Sequence, residues 1–284
     1  MSETKDGEFL KNSSFVIGRD GLIGGAVATT RRRDVASQAC IYLDLASIPH
    51  NWDPPFEFKV AYFCAAISSY EECRRNPHSS RLVNVINTVK TVGRLVDRNV
   101  FVVYPSTNAV FDGSLPYRKT NDPTSPQTEY GRQKAEVEAQ LLQLGEQVCI
   151  VRLSKVFSRT PPLLMEWISR LQHGEPIHPF CDLTCAPLFV DEVAKVLVSI
   201  AMKRLPGIWH LSGERDITYA ELADHLASRL HLDSGLVQPV SVRNSPFHVE
   251  HAPAYTSLDC SRLIAELGIE LPPVWQTIDS IVPV

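Results

Sequence analysis

The chain has 284 residues and an ordinary globular composition, with 44% hydrophobic residues, 21% charged residues and a formal net charge of −4. A chain of this length buries a substantial core in one large domain or in two joined ones. Nucleic-acid and membrane-surface partners favour a clustered basic excess, so this balance argues against both. No apolar stretch reaches the length of a membrane span, and seven cysteines without framework spacing predict reduced thiols in a cytoplasmic protein.

Short apolar or β-branched runs alternate with helical patterns along most of the chain. The predicted strands are Ser14–Ile17, Ala39–Leu43, Val60–Cys64, Val100–Tyr104, Val148–Arg152 and Gly207–Leu211. The predicted helices are Ser80–Asp97, Thr128–Gly145, Val190–Lys203 and Tyr219–Leu230. This alternation is typical of parallel βαβ units, so we predict an α/β protein with a doubly wound parallel sheet, the Rossmann architecture.

The second half of the chain loses this regular alternation, because proline-rich stretches and irregular segments interrupt it. We therefore expect a Rossmann domain made of residues 13–158 and 188–213. A smaller, C-terminal substrate lobe is expected from residues 159–187 and 214–284. Ligands of doubly wound folds lie at the carboxyl ends of the strands, so the site is expected at that edge of the sheet.

A glycine pattern, Gly18-x-x-Gly21-x-x-Gly24, follows the first predicted strand directly. Glycines in such a turn let the backbone approach a pyrophosphate closely, and the N-terminus of a following helix offers unpaired N–H groups to the phosphates. We therefore expect Gly18, Gly21, Leu22, Ile23 and Gly24 to bind a dinucleotide cofactor.

Two arginines, Arg31 and Arg32, follow the glycine pattern closely. Arginine near the end of the second strand accommodates a 2′-phosphate, so the sequence predicts NADP(H), with NAD(H) as the alternative. Only six residues separate Gly24 from Arg31, too few for a full helix and a strand. The first βαβ unit is therefore shortened. Either a stunted helix replaces the strand, or Val27–Arg31 is the strand and the helix is deleted; we favour the second.

A tyrosine and a lysine, Tyr130 and Lys134, share one face of a predicted helix because they are four residues apart. The ammonium favours the phenolate and is expected to lower the pKa of Tyr130 toward neutrality. A tyrosine of this kind can exchange a proton with a carbonyl oxygen during hydride transfer. A hydroxyl after strand Val100–Tyr104, from Ser106 or Thr107, is placed to bond the same oxygen.

The order of these motifs resembles the dTDP-4-dehydrorhamnose reductase branch of the extended short-chain dehydrogenase/reductase family. The resemblance rests on Ser106-Thr-x-x-Val-Phe-Asp-Gly113, Asp122-Pro-x-x-Pro126 and Tyr130-Gly-x-x-Lys134. It implies that Thr107 is the hydroxyl partner and that Thr107, Tyr130 and Lys134 form the catalytic set. It also implies that Asn84 supports a proton-relay water.

The same resemblance implies further binding residues. For the cofactor these are Asp44 and Leu45 near the adenine, Cys64, Ala65 and Ala66 beneath the adenosine, and Tyr130 and Lys134 at the nicotinamide end. For the substrate they are Asn108, Val110 and Phe111. A departure from the family pattern, Ala252 where an arginine is usual, leaves the identity of the sugar open.

The function implied by the resemblance is NADPH-dependent reduction of a keto group on a nucleotide-activated deoxysugar. Two alternatives remain. One is a nucleotide-sugar epimerase or dehydratase. The other is a non-catalytic, NADP-binding regulatory subunit, as in methionine adenosyltransferase. The expected partners are the nucleotide-sugar and a second copy of the chain in a homodimer.

Overall fold

The computed structural model describes residues 14–18, 28–36, 40–48, 52–54, 57–245 and 249–282. The chain forms two compact units. The first unit comprises residues 1–110, 126–152 and 194–209, and the second comprises residues 111–125, 153–193 and 210–284. Among the residues described, no helix is both long enough and apolar enough to cross a membrane.

Seven strands form one sheet in the order β10-β6-β5-β4-β1-β2-β3. They are β1 (Ser14–Ile17), β2 (Ala28–Thr30), β3 (Cys40–Tyr42), β4 (Val60–Phe63), β5 (Phe101–Thr107), β6 (Val148–Leu153) and β10 (Gly207–Leu211). Strand β1 pairs in parallel with β2 and β4, β2 with β3, and β4 with β5. The strand order reverses between β1 and β4, as in doubly wound dinucleotide-binding folds, which confirms the predicted fold class.

The second strand lies where the shortened first unit was expected to place it. Strand β2 overlaps the predicted Val27–Arg31 and pairs with both β1 and β3. The predicted deletion of the helix before β2 concerns residues 19–27, which lie outside the described residues. Strand β5 continues to Thr107, beyond its predicted end at Tyr104, so the candidate catalytic threonine closes the strand.

The helices of the first unit follow β4 and β5 in the chain. They are α1 (Tyr70–Arg75), α2 (Pro77–Arg81), a π-helical turn (Leu82–Asn87), α3 (Thr88–Asp97) and α4 (Glu129–Leu141). The predicted helix Ser80–Asp97 therefore begins earlier than expected, at Pro77, and it contains a wider π-helical turn between α2 and α3. Thr128 caps the N-terminus of helix α4, and its hydroxyl accepts a hydrogen bond from the Gly131 N–H at 3.0 Å.

The core of the first unit joins the sheet to α3 and α4. Strand residues Phe15, Phe63 and Val102 are buried together with Leu95 of α3 and Val137 of α4. Strands of a parallel sheet are buried on both faces, which explains why they read as continuous apolar runs in the sequence.

The second unit has its own core. Its strands are β7 (Lys155–Phe157), β8 (Thr184–Cys185), β9 (Pro187–Phe189) and β11 (Ile217–Thr218), where β7 pairs with β9 in parallel and β8 with β11 antiparallel. Its helices are α5 (Pro162–Gln172), the start of α6 (Val190–Lys203), α7 (Tyr219–Arg229), α8 (Ser261–Leu267) and α9 (Val274–Ile281). Leu164, Trp167, Leu226 and Ile278 pack in a buried apolar cluster. This cluster gives the second unit a hydrophobic centre separate from the sheet.

Candidate functional site

A pocket opens at the carboxyl ends of β1–β4 in the first unit; we call it the nucleotide pocket. Among the described residues it is lined by Ile17, Gly18, Thr29–Arg31, Leu43–Leu45, Cys64–Ser68 and Val83. This is the edge at which doubly wound sheets bind their ligands. Seven residues predicted to bind the cofactor line it: Gly18, Arg31, Asp44, Leu45, Cys64, Ala65 and Ala66.

The floor of the nucleotide pocket depends on Gly18. Its φ is +97°, and a Cβ atom there would lie 2.6 Å from the backbone nitrogen of Ala65. The Gly18 N–H donates to the Thr29 hydroxyl at 3.0 Å, which joins the end of β1 to β2. Only glycine fits this conformation and this close approach to the segment after β4. The cavity beside this turn lies where doubly wound folds bind a dinucleotide, and its lining of small residues, Asp44 and Arg31 fits such a cofactor.

The other predicted glycine-loop residues, Gly21, Leu22, Ile23 and Gly24, lie outside the described residues. Sequence reasoning missed several pocket residues, namely Thr29, Thr30, Ile67 and Ser68. The sequence held a signal for Thr29 and Thr30, because these two threonines end a strand directly before Arg31. Ile67 and Ser68 simply continue the predicted Cys64–Ala66 segment.

The two predicted arginines differ in position. Arg31 lines the nucleotide pocket, as does Asp44, which accepts hydrogen bonds from the Ala46 N–H at 2.9 Å and from the Ser47 hydroxyl at 3.3 Å. Arg32 instead forms an exposed ion pair with Asp34, at 3.2 Å, and does not line the pocket. Arg31 thus lies at the nucleotide pocket, and the contact of Arg31 and Arg32 with a cofactor stays a prediction.

The three predicted catalytic residues come from β5 and α4; we call residues 104–107 of β5 and 130–138 of α4 the catalytic edge. Thr107 ends β5, and its hydroxyl accepts from the Ala109 N–H at 3.1 Å. Tyr130 and Lys134 lie in the first turns of α4. A Cβ atom on Gly131 would collide with the Ala109 carbonyl, so this glycine lets α4 pack close to the turn after β5.

Lys134 is buried against β5. Its Nζ donates to the Tyr104 hydroxyl at 2.7 Å and to the Pro105 carbonyl at 2.8 Å, and it lies 4.0 Å from the centre of the Tyr104 ring. Burial lowers the pKa of Lys134 to about 7, while the nearby Glu138 carboxylate opposes that change. Near neutral pH, Lys134 is therefore expected to populate both its charged ammonium form and its neutral amine form.

The pKa of Tyr130 changes in the opposite direction from the sequence prediction. Burial raises it above the ordinary value for a tyrosine, and the Tyr70 and Cys73 side chains act in the same direction. Lys134 donates its hydrogen bonds to β5 instead of to Tyr130, which explains why the expected lowering is not seen. The Tyr70 ring packs against the Tyr130 ring at a centroid distance of 5.6 Å.

Asn84 lies in the π-helical turn and is 1% exposed. Its side-chain amide accepts from the Ile67 N–H at 2.8 Å, donates to the Ile67 carbonyl at 2.9 Å, and donates to Gln133 Oε1 at 2.8 Å. These bonds fasten the segment after β4 to helix α4. Support of a proton-relay water by Asn84 remains a prediction.

The predicted substrate residues follow β5 directly. Asn108 begins a 3₁₀ turn (Asn108–Val110) directly after Thr107. Val110 and Phe111 are 0% and 3% exposed, so water barely touches their side chains. Contact of Asn108, Val110 and Phe111 with the substrate stays a prediction.

A buried ion pair that the sequence analysis missed lies one helical turn beyond Lys134. The Arg152 guanidinium bonds Glu138 at 2.7 Å, with both side chains 3% exposed, and the Ser106 hydroxyl also donates to Glu138. The signal was present in the sequence, since Glu138 is four residues after Lys134 on the same helical face. This cluster joins α4 to β5 and β6, one helical turn beyond the predicted catalytic residue Lys134.

The sequence matches the profile of the RmlD substrate binding domain family over residues 15–282. The chain belongs to that family. The resemblance noted from the motifs of the catalytic edge thus extends over nearly the whole sequence.

Among curated relatives, one is the "Probable low-salt glycan biosynthesis reductase Agl14" of Haloferax volcanii, 24% identical over 91% of this chain and 93% of the relative. The methionine adenosyltransferase 2 subunit beta of Xenopus tropicalis is 26% identical over 75% of this chain and 66% of its own length. The dTDP-4-dehydrorhamnose reductase of Sinorhizobium fredii is 27% identical over 73% of this chain and 74% of its own.

Among solved structures, the dTDP-4-dehydrorhamnose reductase of Bacillus anthracis in complex with NADP superposes with a TM-score of 0.75. The two sequences are 19% identical, and the match covers 96% of each chain. At this identity the likeness establishes the shared fold.

Proposed function

We propose that the protein is an NADPH-dependent reductase of a keto group on a nucleotide-activated deoxysugar, similar to dTDP-4-dehydrorhamnose reductase. The observation that carries the proposal is the close packing of α4 on β5, with a pocket at the same sheet edge in the same unit. That packing brings a threonine hydroxyl, a tyrosine and a buried lysine from adjacent elements to one region of the first unit.

In this proposal the nucleotide pocket holds the dinucleotide. Gly18 and the Cys64–Ser68 segment would lie along the bound dinucleotide. Asp44 would bind the adenine, and Arg31 would bind the 2′-phosphate. The cofactor, when bound, supplies hydride to the carbonyl carbon of the substrate. The relative solved with NADP, which shares this fold, supports the choice of nucleotide.

Tyr130 is proposed as the proton donor. A tyrosine is protonated at neutral pH, and burial raises the pKa of Tyr130 further, so the phenol can donate its proton to the carbonyl oxygen as that oxygen gains negative charge. Thr107, at the end of β5, donates a hydrogen bond to the same oxygen and orients it. After transfer, the phenolate regains its proton from solvent.

Lys134 is proposed to act through charge. An ammonium near the Tyr130 phenolate stabilises the negative charge left after proton donation, and it can donate a hydrogen bond to the nicotinamide ribose. Catalysis therefore requires Lys134 in its charged form.

The comparisons support this proposal and also favour one alternative. Two of the relatives described above carry the word reductase in their names, and one of them spans nearly the whole chain. The similarity to methionine adenosyltransferase 2 subunit beta favours a regulatory, non-catalytic role as the second candidate. The presence of Thr107, Tyr130 and Lys134 together supports the enzyme over that alternative.

An NADPH-consumption assay with a panel of nucleotide-linked 4-keto sugars tests the proposal. We expect steady oxidation of NADPH with at least one substrate and stoichiometric formation of the reduced sugar. Product formation without net NADPH oxidation would instead indicate an epimerase or dehydratase. NADPH binding without turnover of any member of the panel would favour the regulatory subunit.

A further inference from the structure

A second tyrosine, Tyr104, makes the closest polar contact to the buried lysine of the catalytic edge. Tyr104 is in β5 and 1% exposed, and its hydroxyl oxygen accepts a hydrogen bond from Lys134 Nζ at 2.7 Å. The same ring lies under the ammonium, 4.0 Å from Nζ to the ring centre. Nothing in the motif pattern of the sequence pointed to this residue.

We propose that Tyr104 is a positioning residue that holds the amino group of Lys134 in its charged form and directs it toward the reacting end of the site. Tyr104 acts through Lys134 and does not itself touch the substrate. The inference deepens the proposed function and rests on it for the catalytic consequence.

The number of donors on an ammonium explains how the positioning works. A lysine ammonium has three N–H groups. Two of those of Lys134 are taken by the Tyr104 hydroxyl and the Pro105 carbonyl. Both acceptors belong to β5, so they fix the nitrogen against the strand and leave the third N–H for a ligand or for Tyr130. Without the Tyr104 oxygen, the amino group would have one anchor and more freedom to rotate.

The other titratable groups near Lys134 also affect its protonation, so they are compared with the Tyr104 hydroxyl as sources of stabilisation of the Lys134 ammonium. Glu138 favours the ammonium from the same helix, but its carboxylate is already bonded to Arg152 of β6 and to Ser106 of β5. Cys64, after β4, faces the lysine with a thiol whose pKa burial raises to about 12, so it is uncharged at neutral pH. Glu138 therefore favours the ammonium through its charge, while the two acceptors on β5 and the Tyr104 ring contact it directly.

The neighbouring strand offers a matched control. Tyr62 of β4 is 3% exposed, and its hydroxyl has no hydrogen-bond partner among the described residues. Both Tyr104→Phe and Tyr62→Phe remove one buried hydroxyl and keep the ring. Only the first removes an acceptor from Lys134, so a change that is found in Tyr104→Phe and not in Tyr62→Phe reports the loss of that acceptor.

The protonation of the Lys134 amino group is followed across a pH series by NMR of protein with labelled lysine side chains. The signal that is missing in Lys134→Arg is assigned to Lys134. A hydrogen bond to a charged group favours the charged form, so in Tyr104→Phe we expect the midpoint of Lys134 to fall by about one pH unit. In Tyr62→Phe the midpoint should stay within a few tenths of a unit of wild type. This readout needs neither cofactor nor turnover.

The pH dependence of kcat/KM for NADPH oxidation gives the second readout. Activity requires charged Lys134, so it should decline as pH rises through the Lys134 midpoint, near 7 in wild type. In Tyr104→Phe the decline should begin about one unit lower, which makes the loss roughly twofold at pH 6 and about tenfold at pH 8. Tyr62→Phe should follow the wild-type profile.

Two results would overturn the inference: an unchanged Lys134 midpoint in Tyr104→Phe, or an equal shift in Tyr62→Phe. Absence of NADPH turnover in wild type would refute the proposed function instead. The lysine titration would still decide whether Tyr104 holds the charge.

Discussion

The nucleotide pocket and the catalytic edge belong to the same unit, yet they are built differently. Strands β2 and β3 at the pocket are three residues long, and Arg32 and its partner Asp34 beside it are exposed. The catalytic edge rests on a seven-residue strand and a buried network of Lys134, Glu138 and Arg152. In the proposed function, buried polar contacts therefore hold the proposed catalytic residues, whereas cofactor affinity would depend on a few backbone and surface features.

The largest effect on stability should come from the buried ion pair of the catalytic edge. Glu138→Ala leaves the Arg152 charge buried without its partner, which should reduce the free energy of unfolding by about 3–5 kcal/mol in a urea titration. The control is Glu136→Ala on the same helix, where Glu136 pairs with Arg81 at the exposed surface. That variant should unfold close to wild type, and equal losses in the two would show that burial of the pair is unimportant.

The next effect should come from the floor of the nucleotide pocket. Gly18→Ala places a side chain at positive φ and against Ala65, with a cost of about 1–3 kcal/mol. We expect NADPH affinity to fall by roughly tenfold or more, measured by the fluorescence of the bound nucleotide.

Gly93→Ala is the matched control for Gly18→Ala. A Cβ atom at Gly93 would meet nothing within 4 Å, and the residue lies inside α3. Replacing glycine by alanine inside a helix should add up to about 1 kcal/mol of stability without changing cofactor affinity. Unchanged NADPH affinity in Gly18→Ala would contradict the placement of the dinucleotide against this turn.

The smallest effect should be on the choice between nicotinamide cofactors. The proposed function assigns Arg31 a charge-assisted hydrogen bond to the 2′-phosphate, so in Arg31→Ala NADPH affinity should fall by about tenfold while NADH affinity changes little. Arg32→Ala should leave the ratio of the two affinities unchanged, because Arg32 pairs with Asp34 and does not line the pocket. A change in the ratio with Arg32→Ala alone would reverse the assignment.

Much of this architecture could be predicted from the sequence. Buried parallel strands give continuous apolar runs, so β1, β4, β5, β6 and β10 were found close to their observed bounds. Spacing along a helix placed Tyr130 and Lys134 on one face. The glycine pattern predicted a turn that only glycine can form, and Gly18 has a positive φ there; its approach to a pyrophosphate stays a prediction.

The features of the site that the sequence did not predict depend on contacts between helices and strands. The spacing of residues along the chain does not reveal those contacts. The Tyr104 hydroxyl meets Lys134 only because Gly131 lets α4 approach the end of β5. The direction of the Tyr130 pKa was predicted wrongly for the same reason, since it follows from burial and from where the lysine donates its hydrogen bonds. Val110 was assigned to the substrate by its place in a motif, whereas packing buries it.

In the proposed function Tyr130 donates the proton, whereas NADPH affinity depends on the nucleotide pocket and hardly on the Tyr130 hydroxyl. The most direct measurement is single-turnover oxidation of bound NADPH by wild type and Tyr130→Phe, with NADPH affinity measured on the same samples. We expect the rate to fall by about a thousandfold and the affinity to stay within about twofold of wild type. A Tyr130→Phe rate within tenfold of wild type at saturating substrate would contradict the account.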